Sequence, residues 1–142
     1  AALGIRAPID RAALGGLLLY CGVYDVSGAD FTGIFGSVLK VILAAYAGTP
    51  DFPTDPRFAT ASVVHYAAAS LPPVFLSVGN ADPLLPQSRA FADALRRVGV
   101  PVDSLFFPEE GAPSVPHEYQ FDLDEDAGQL ALARSVAFLS SR

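Results

Sequence analysis

The stretch Leu71–Pro83, LPPVFLSVGNADP, constrains the fold more than any other part of this chain. Leu71-Pro72-Pro73 stops whatever precedes it, because proline neither donates to a ladder nor continues a helix. Val74–Val78 is a short apolar run rich in β-branched and aromatic residues. Bounded by turn signals, it predicts a strand buried on both faces. Gly79-Asn80-Ala81-Asp82-Pro83 then turns the chain and leaves the Asp82 carboxylate at the strand's carboxyl end. In open α/β sheets, ligands and chemistry gather there.

The flanking sequence repeats this alternation. Leu17–Val23 (LLLYCGV) predicts a second buried strand, preceded by Gly15-Gly16 and followed by Tyr24-Asp25. Ile34–Tyr46 predicts a helix, since Phe35, Val38, Leu39, Ile42 and Tyr46 recur at spacings of three and four. Gly48 and Pro50 end it. Ala59–Ala69 is Ala-rich and predicts a short helix carrying His65 and Tyr66. Pro86 suits the first position of a helix whose apolar stripe is Phe91, Leu95 and Val98, with Gly99 as its stop. Val102–Phe107 is the third strand. A last helix runs from about Asp126 to Leu139, with Leu132, Val136 and Leu139 on its apolar face. Ala1–Leu14 is weakly patterned and is expected to be a loop. Strands alternating with helices imply a parallel sheet, so the expected fold class is α/β, with about three parallel strands flanked by helices. At 142 residues the chain is expected to be a single domain.

Composition narrows the function classes. Half the residues are apolar, the net charge is −6, and Lys40 is the only lysine, which argues against nucleic acid as a partner. Cys21 is the lone cysteine, which fits a reducing, cytoplasmic setting. No run of 18 apolar residues predicts a membrane span. Ala1–Leu14 carries Arg6, Asp10 and Arg11 without a long apolar core, so no leader peptide is expected.

His117 lies beyond the third strand, in a loop (Pro108–Pro116) with three prolines. An acid after one strand and a histidine after the next suit an acid–histidine pair, in which the carboxylate fixes the tautomer and stabilises the imidazolium. The same residues suit a turn-forming Asp-Pro and a loop histidine. His65, in its Ala-rich segment, is the competing histidine. Cys21, among leucines, reads as inert core. The acidic run Asp122–Asp126 lacks the glycine and glutamate positions of a calcium loop and reads as a solvated helix start. No metal or cofactor is implied. Phe31, Phe35, Val38 and Leu39 suit either the lining of an acyl pocket or ordinary core.

Two blocks, LPPVFLSVGNADPLLPQSRAFADALRRVGVPVDSLFF and PHEYQF, resemble the hormone-sensitive-lipase-like family of bacterial esterases, within the α/β-hydrolase superfamily. So do GLLLYCGVYD and DPRFATAS upstream. In that family a Pro-Pro strand runs to Gly-x-x-Asp-Pro-Leu, whose Asp is the triad acid, and a later loop carries the triad His. The resemblance implies Asp82 as acid and His117 as base. Glu118-Tyr119-Gln120-Phe121 stands where the family usually has Gly-Phe. The Gly-x-Ser-x-Gly elbow and the His-Gly-Gly oxyanion loop are absent, although chain order in such hydrolases runs Ser, then Asp, then His. The sequence is therefore expected to be the C-terminal half of such a fold.

The resemblance implies a carboxylic-ester hydrolase for short-chain esters, or the C-terminal part of one, whose partners are a small-molecule ester and either a missing N-terminal half or further copies of itself. Ser114, three residues before His117, is a nucleophile candidate that no elbow exposes. The alternative is a non-catalytic α/β module that self-associates.

Overall fold

The structure is a computed structural model that describes residue 10, residues 13–108, residue 110 and residues 113–142. The expected loop at Ala1–Leu14 lies mostly outside the described residues. The chain divides into two compact units, Val23–Tyr66 and the remainder.

The larger unit is built on a parallel sheet of three strands in the order β1 (Leu17–Tyr20), β2 (Val74–Val78), β3 (Val102–Phe106). Leu17 pairs with Val74 and Tyr20 with Ser77; Val74 pairs with Val102 and Val78 with Phe106. β2 is central, and all five of its residues are buried. This is what an apolar run without alternation requires, since both faces of the strand must be covered. Its one polar residue, Ser77, is satisfied: Oγ donates to the Leu105 carbonyl at 3.2 Å and bonds the Tyr119 hydroxyl.

Helices α2 (Leu85–Arg97) and α3 (Asp126–Ser140) cover the sheet. Strand alternation points Phe75 and Val78 to opposite faces. Phe75 packs with Leu105, Tyr119, Ala131 and Phe138, and Val78 packs with Cys21 and Leu85. In α2 the expected residues Phe91 and Leu95 are buried, while Val98 is partly exposed at the helix end. Gly99 follows with φ +85°, the left-handed conformation that a helix stop favours.

In α3 the expected stripe is corrected. Leu132, Val136 and Leu139 are about half exposed, and the helix buries Gly128, Ala131, Ser135 and Phe138 instead. Small residues bring this helix close to its neighbours: a β-carbon on Gly128 would sit 1.9 Å from the Asp122 carbonyl oxygen. The Ser135 hydroxyl bonds that of Tyr20 on β1. The first strand is also shorter than expected. It ends at Tyr20 because Cys21 takes φ +46°, which a strand cannot contain.

The smaller unit holds α1 (Gly33–Ala47), which stops at Gly48 with φ +70°. The Ala-rich segment forms two 3-10 turns, Phe58–Ala61 and Val63–Tyr66, in place of the expected short helix. Phe52 anchors this unit, with Phe31 and Phe58 set edge-on to its ring at 5.7 and 5.3 Å. Ser62 is buried and ties the loop together: its hydroxyl accepts from the Val26 N–H and donates to Asp25. Of the predicted helical stripe only Leu39 is buried; Val38, Ile42 and Tyr46 are exposed, as are Ile34 and Val41.

Candidate functional site

The site grows from the turn that follows β2. Pro83 offers no N–H, so the turn is closed by the residues around it. The Leu84 N–H donates to Asp82 Oδ1 at 2.7 Å, and the Leu85 N–H donates to the Asp82 carbonyl at 3.0 Å. Asp82 thus forms the turn that starts α2 and keeps its second oxygen, Oδ2, for another partner. That partner is His117, whose Nδ1 lies 2.9 Å away. A carboxylate only accepts, so Nδ1 carries the proton in this pair and the ring's lone pair is left at Nε2. The Asp82 side chain is fully buried and that of His117 is about one-third exposed. The acid is therefore shielded, and the base reaches toward solvent.

The loop that carries His117 is held by the same turn. Asn80 Nδ2 donates to the carbonyls of Pro108 and Pro113 at 2.6 and 3.2 Å, and Asn80 Oδ1 accepts from the Val115 N–H at 2.8 Å. The Ala81 N–H donates to the Val115 carbonyl at 3.0 Å. Gly79 permits the approach: a β-carbon there would lie 2.2 Å from the Val115 oxygen and 2.7 Å from that of Pro116. Gly79 and Asn80 read as plain turn formers in the sequence, yet they set where His117 stands. Replacing Asn80 by alanine strips three hydrogen bonds from the loop. It should cost about 1–2 kcal/mol of stability by chemical denaturation. Asn80→Asp keeps the acceptor for Val115 but turns a carboxylate oxygen toward the two proline carbonyls, so it should lose at least as much; a clearly smaller loss would contradict the clamp.

Cys21 joins the pair. The donor atoms of Cys21, Asp82 and His117 all lie within 4.8 Å of one another. The sequence placed Cys21 inside a strand. Its left-handed backbone instead ends the strand and leaves the thiol at the sheet's carboxyl end, where Sγ also faces Gln120 Oε1 at 3.6 Å. Burial pushes the thiol from 9.0 up to about 12. Burial likewise pushes the Tyr119 phenol from 10.0 up to about 12. Both groups are held neutral by the fold. Their contribution to stability is complete below about pH 9 and is lost as pH rises from about 9 to about 12. The thermal unfolding midpoint should fall across that interval; a flat midpoint would contradict the burial. Native Cys21 should react slowly with thiol reagents at neutral pH and quickly once unfolded.

The remaining candidates are placed as follows. Ser114 is exposed in the histidine loop. Phe31, Phe35, Val38 and Leu39 belong to the smaller unit, where Leu39 is core, Val38 is exposed and the two phenylalanines are partly buried. His65 is exposed in a 3-10 turn of that unit. Asp122 Oδ1 accepts from the Asp124 N–H at 3.2 Å, and Asp126 opens α3. The acidic run is thus a turn leading into a helix, where acids suit the dipole. Among the described residues no helix is long and apolar enough to cross a membrane.

A buried carboxylate after one parallel strand, bonded to a histidine after the next, invites comparison with known families. A family profile described as the alpha/beta hydrolase fold matches residues 16–118, more than half of the chain. The chain belongs to the α/β-hydrolase fold family. The match runs from the glycine before β1 to the residue after His117. Among solved structures, a thermophilic esterase of the planctomycete Thermogutta terrifontis, Est2, resembles this hydrolase-fold chain. Its propionate-bound form is 23% identical with a TM-score of 0.59, and its native form is 22% identical with a TM-score of 0.57. In both cases the likeness covers 96% of this chain and 47% of the esterase. This hydrolase-fold chain therefore spans less than half the length of those structures, and at such identity the likeness is one of fold. No curated protein matches the chain.

Proposed function

We propose that the chain supplies the acid and the base of a carboxylic-ester hydrolase acting on short-chain esters. The observation that carries this reading is the 2.9 Å bond between His117 Nδ1 and the buried Asp82 carboxylate. In the proposed reaction a serine hydroxyl attacks the ester carbonyl. His117 takes the hydroxyl proton and returns it to the leaving alcohol; Asp82 holds the ring and stabilises the imidazolium. Water repeats the sequence to release the acid. The nucleophile and the oxyanion donors come, in this reading, from a segment bearing a Gly-x-Ser-x-Gly elbow. The likeness to an esterase more than twice as long supports that division. Ser114 is the candidate inside the chain.

The test is hydrolysis of p-nitrophenyl esters of increasing acyl length by the chain joined to such an elbow-bearing segment and by its His117→Ala variant. Turnover highest on short acyl groups and abolished by the substitution supports the proposal. Turnover that survives the substitution sinks it.

A second reading, a self-associating module without catalysis, has its own observations. Among the described residues β1 has a strand on one side only, and its residues LLLY carry no charge or proline to protect the edge. Ile34, Val38, Val41, Ile42 and Tyr46 expose apolar surface along α1. Burying each 100 Å² of such surface contributes roughly 2.5 kcal/mol. Light scattering at micromolar concentration should therefore report dimers or larger species; a monomer would contradict this reading.

A further inference from the structure

We propose that Cys21, Asp82 and His117 form a binding site for a soft divalent cation of the zinc class, and that its occupancy switches off the acid–base pair. Thiolate, imidazole and carboxylate are the three side-chain donors that zinc takes, and three protein ligands with one open position is a regular zinc arrangement. The donor atoms already lie within 4.8 Å of one another. Tetrahedral bond lengths near 2.0–2.3 Å require donor separations of about 3.3–3.8 Å, so side-chain shifts of about an ångström close the site. Three different chain segments present the ligands: the end of β1, the turn after β2 and the loop after β3. The Asn80 clamp and the turn at Asp82 hold the last two in place before any metal arrives.

Charge and access agree with this assignment. One thiolate and one carboxylate neutralise a divalent ion, which suits a site whose cysteine and aspartate are both buried. The partly exposed His117 side chain gives a route from solvent. The donor set selects the metal: a sulfur ligand favours zinc over magnesium and calcium, which prefer oxygen throughout. On binding, the S–H bond of Cys21 breaks, its proton passes to solvent and a sulfur–metal bond forms; at His117 the proton held between Nδ1 and Asp82 moves to Nε2, which frees the Nδ1 lone pair for the metal. Neutral imidazole has a single lone pair on nitrogen. Once the metal holds that pair, His117 accepts no proton. The inhibitory consequence rests on the acid–base role proposed for His117; the binding itself does not.

The experiment is calorimetric titration of the purified, reduced chain with Zn²⁺, with Mg²⁺ and Ca²⁺ in parallel, followed by Co²⁺ as a spectroscopic substitute. Expected are one Zn²⁺ per chain and affinity at least about 100-fold weaker in Cys21→Ala and in His117→Ala, since even supporting residues around a metal are worth 10–100-fold. Mg²⁺ and Ca²⁺ should not compete. The Co²⁺ form of the unsubstituted chain should show a near-ultraviolet thiolate charge-transfer band, a readout that stands even where Cys21→Ala fails to fold. No zinc binding, binding insensitive to both substitutions, equal competition by Mg²⁺, or a Co²⁺ spectrum without the thiolate band would overturn the site. Ester hydrolysis separates the two claims. Zinc bound as described by this chain, with no turnover by the chain joined to an elbow-bearing segment, leaves the site standing and removes the hydrolase reading. Turnover by the joined protein, with no zinc bound by this chain, does the reverse.

Discussion

Joined to a segment that carries a Gly-x-Ser-x-Gly elbow and an oxyanion loop, this chain should hydrolyse a short p-nitrophenyl ester at least about 10³ times faster than alone. The magnitude follows from what such a segment adds. One oxyanion donor is worth about 10²–10³ in rate by itself, and a serine exposed on an elbow replaces water as the nucleophile. The acceptor proposed for the serine proton is His117, which stands 2.9 Å from a carboxylate that the fold has fully desolvated. Comparing initial rates of the joined protein with those of the two parts mixed and separate measures the effect. An unchanged rate on joining would mean either that the chain holds a complete site of its own or that its acid and base serve no hydrolysis.

In that joined protein, Asp82→Asn should lower kcat by about 10⁴. The same exchange of acid for amide in a serine-protease triad leaves the geometry intact and costs about that much, because the histidine is held in the wrong tautomer. Here the reason is visible in the bonding. Oδ1 accepts from the Leu84 N–H, so the oxygen of an asparagine is claimed by the turn and its amide nitrogen faces His117. Nδ1 must then accept instead of donate, and the proton moves to Nε2, where the serine's proton should arrive. Asp82→Asn keeps the turn, so stability should change far less than turnover. Equal losses of kcat and stability would show that Asp82 matters to the fold alone.

The two readings of Asp82 in the sequence, a turn residue before proline and a triad acid, are both compatible with its bonding, because one oxygen serves each. That stretch was legible because β2 is buried on both faces, and an unbroken apolar run ending in Gly-Asn-Ala-Asp-Pro leaves little alternative. His117 was reached through resemblance more than through physics, since its loop has no periodicity to read. Cys21 was misread for a physical reason. LLLYCGV is apolar from end to end, and nothing in it announces that Cys21 adopts φ +46° and ends the strand. The last helix misled in the opposite way. Periodicity picks out its large side chains, whereas its contact with the sheet is made by Ala131, Ser135 and Phe138, and its Gly128 lies against the Asp122 carbonyl. Close packing favours small residues, which a hydrophobicity pattern does not weight. Asn80 was invisible because its three bonds go to residues 28 to 35 positions away.

The most direct test is turnover of p-nitrophenyl acetate by rigorously purified preparations of the joined protein, of its His117→Ala variant and of its His65→Ala variant, each checked for folding by circular dichroism. The account predicts a rate that falls to background with His117→Ala and stays unchanged with His65→Ala. A folded His117→Ala protein that keeps its rate would contradict it.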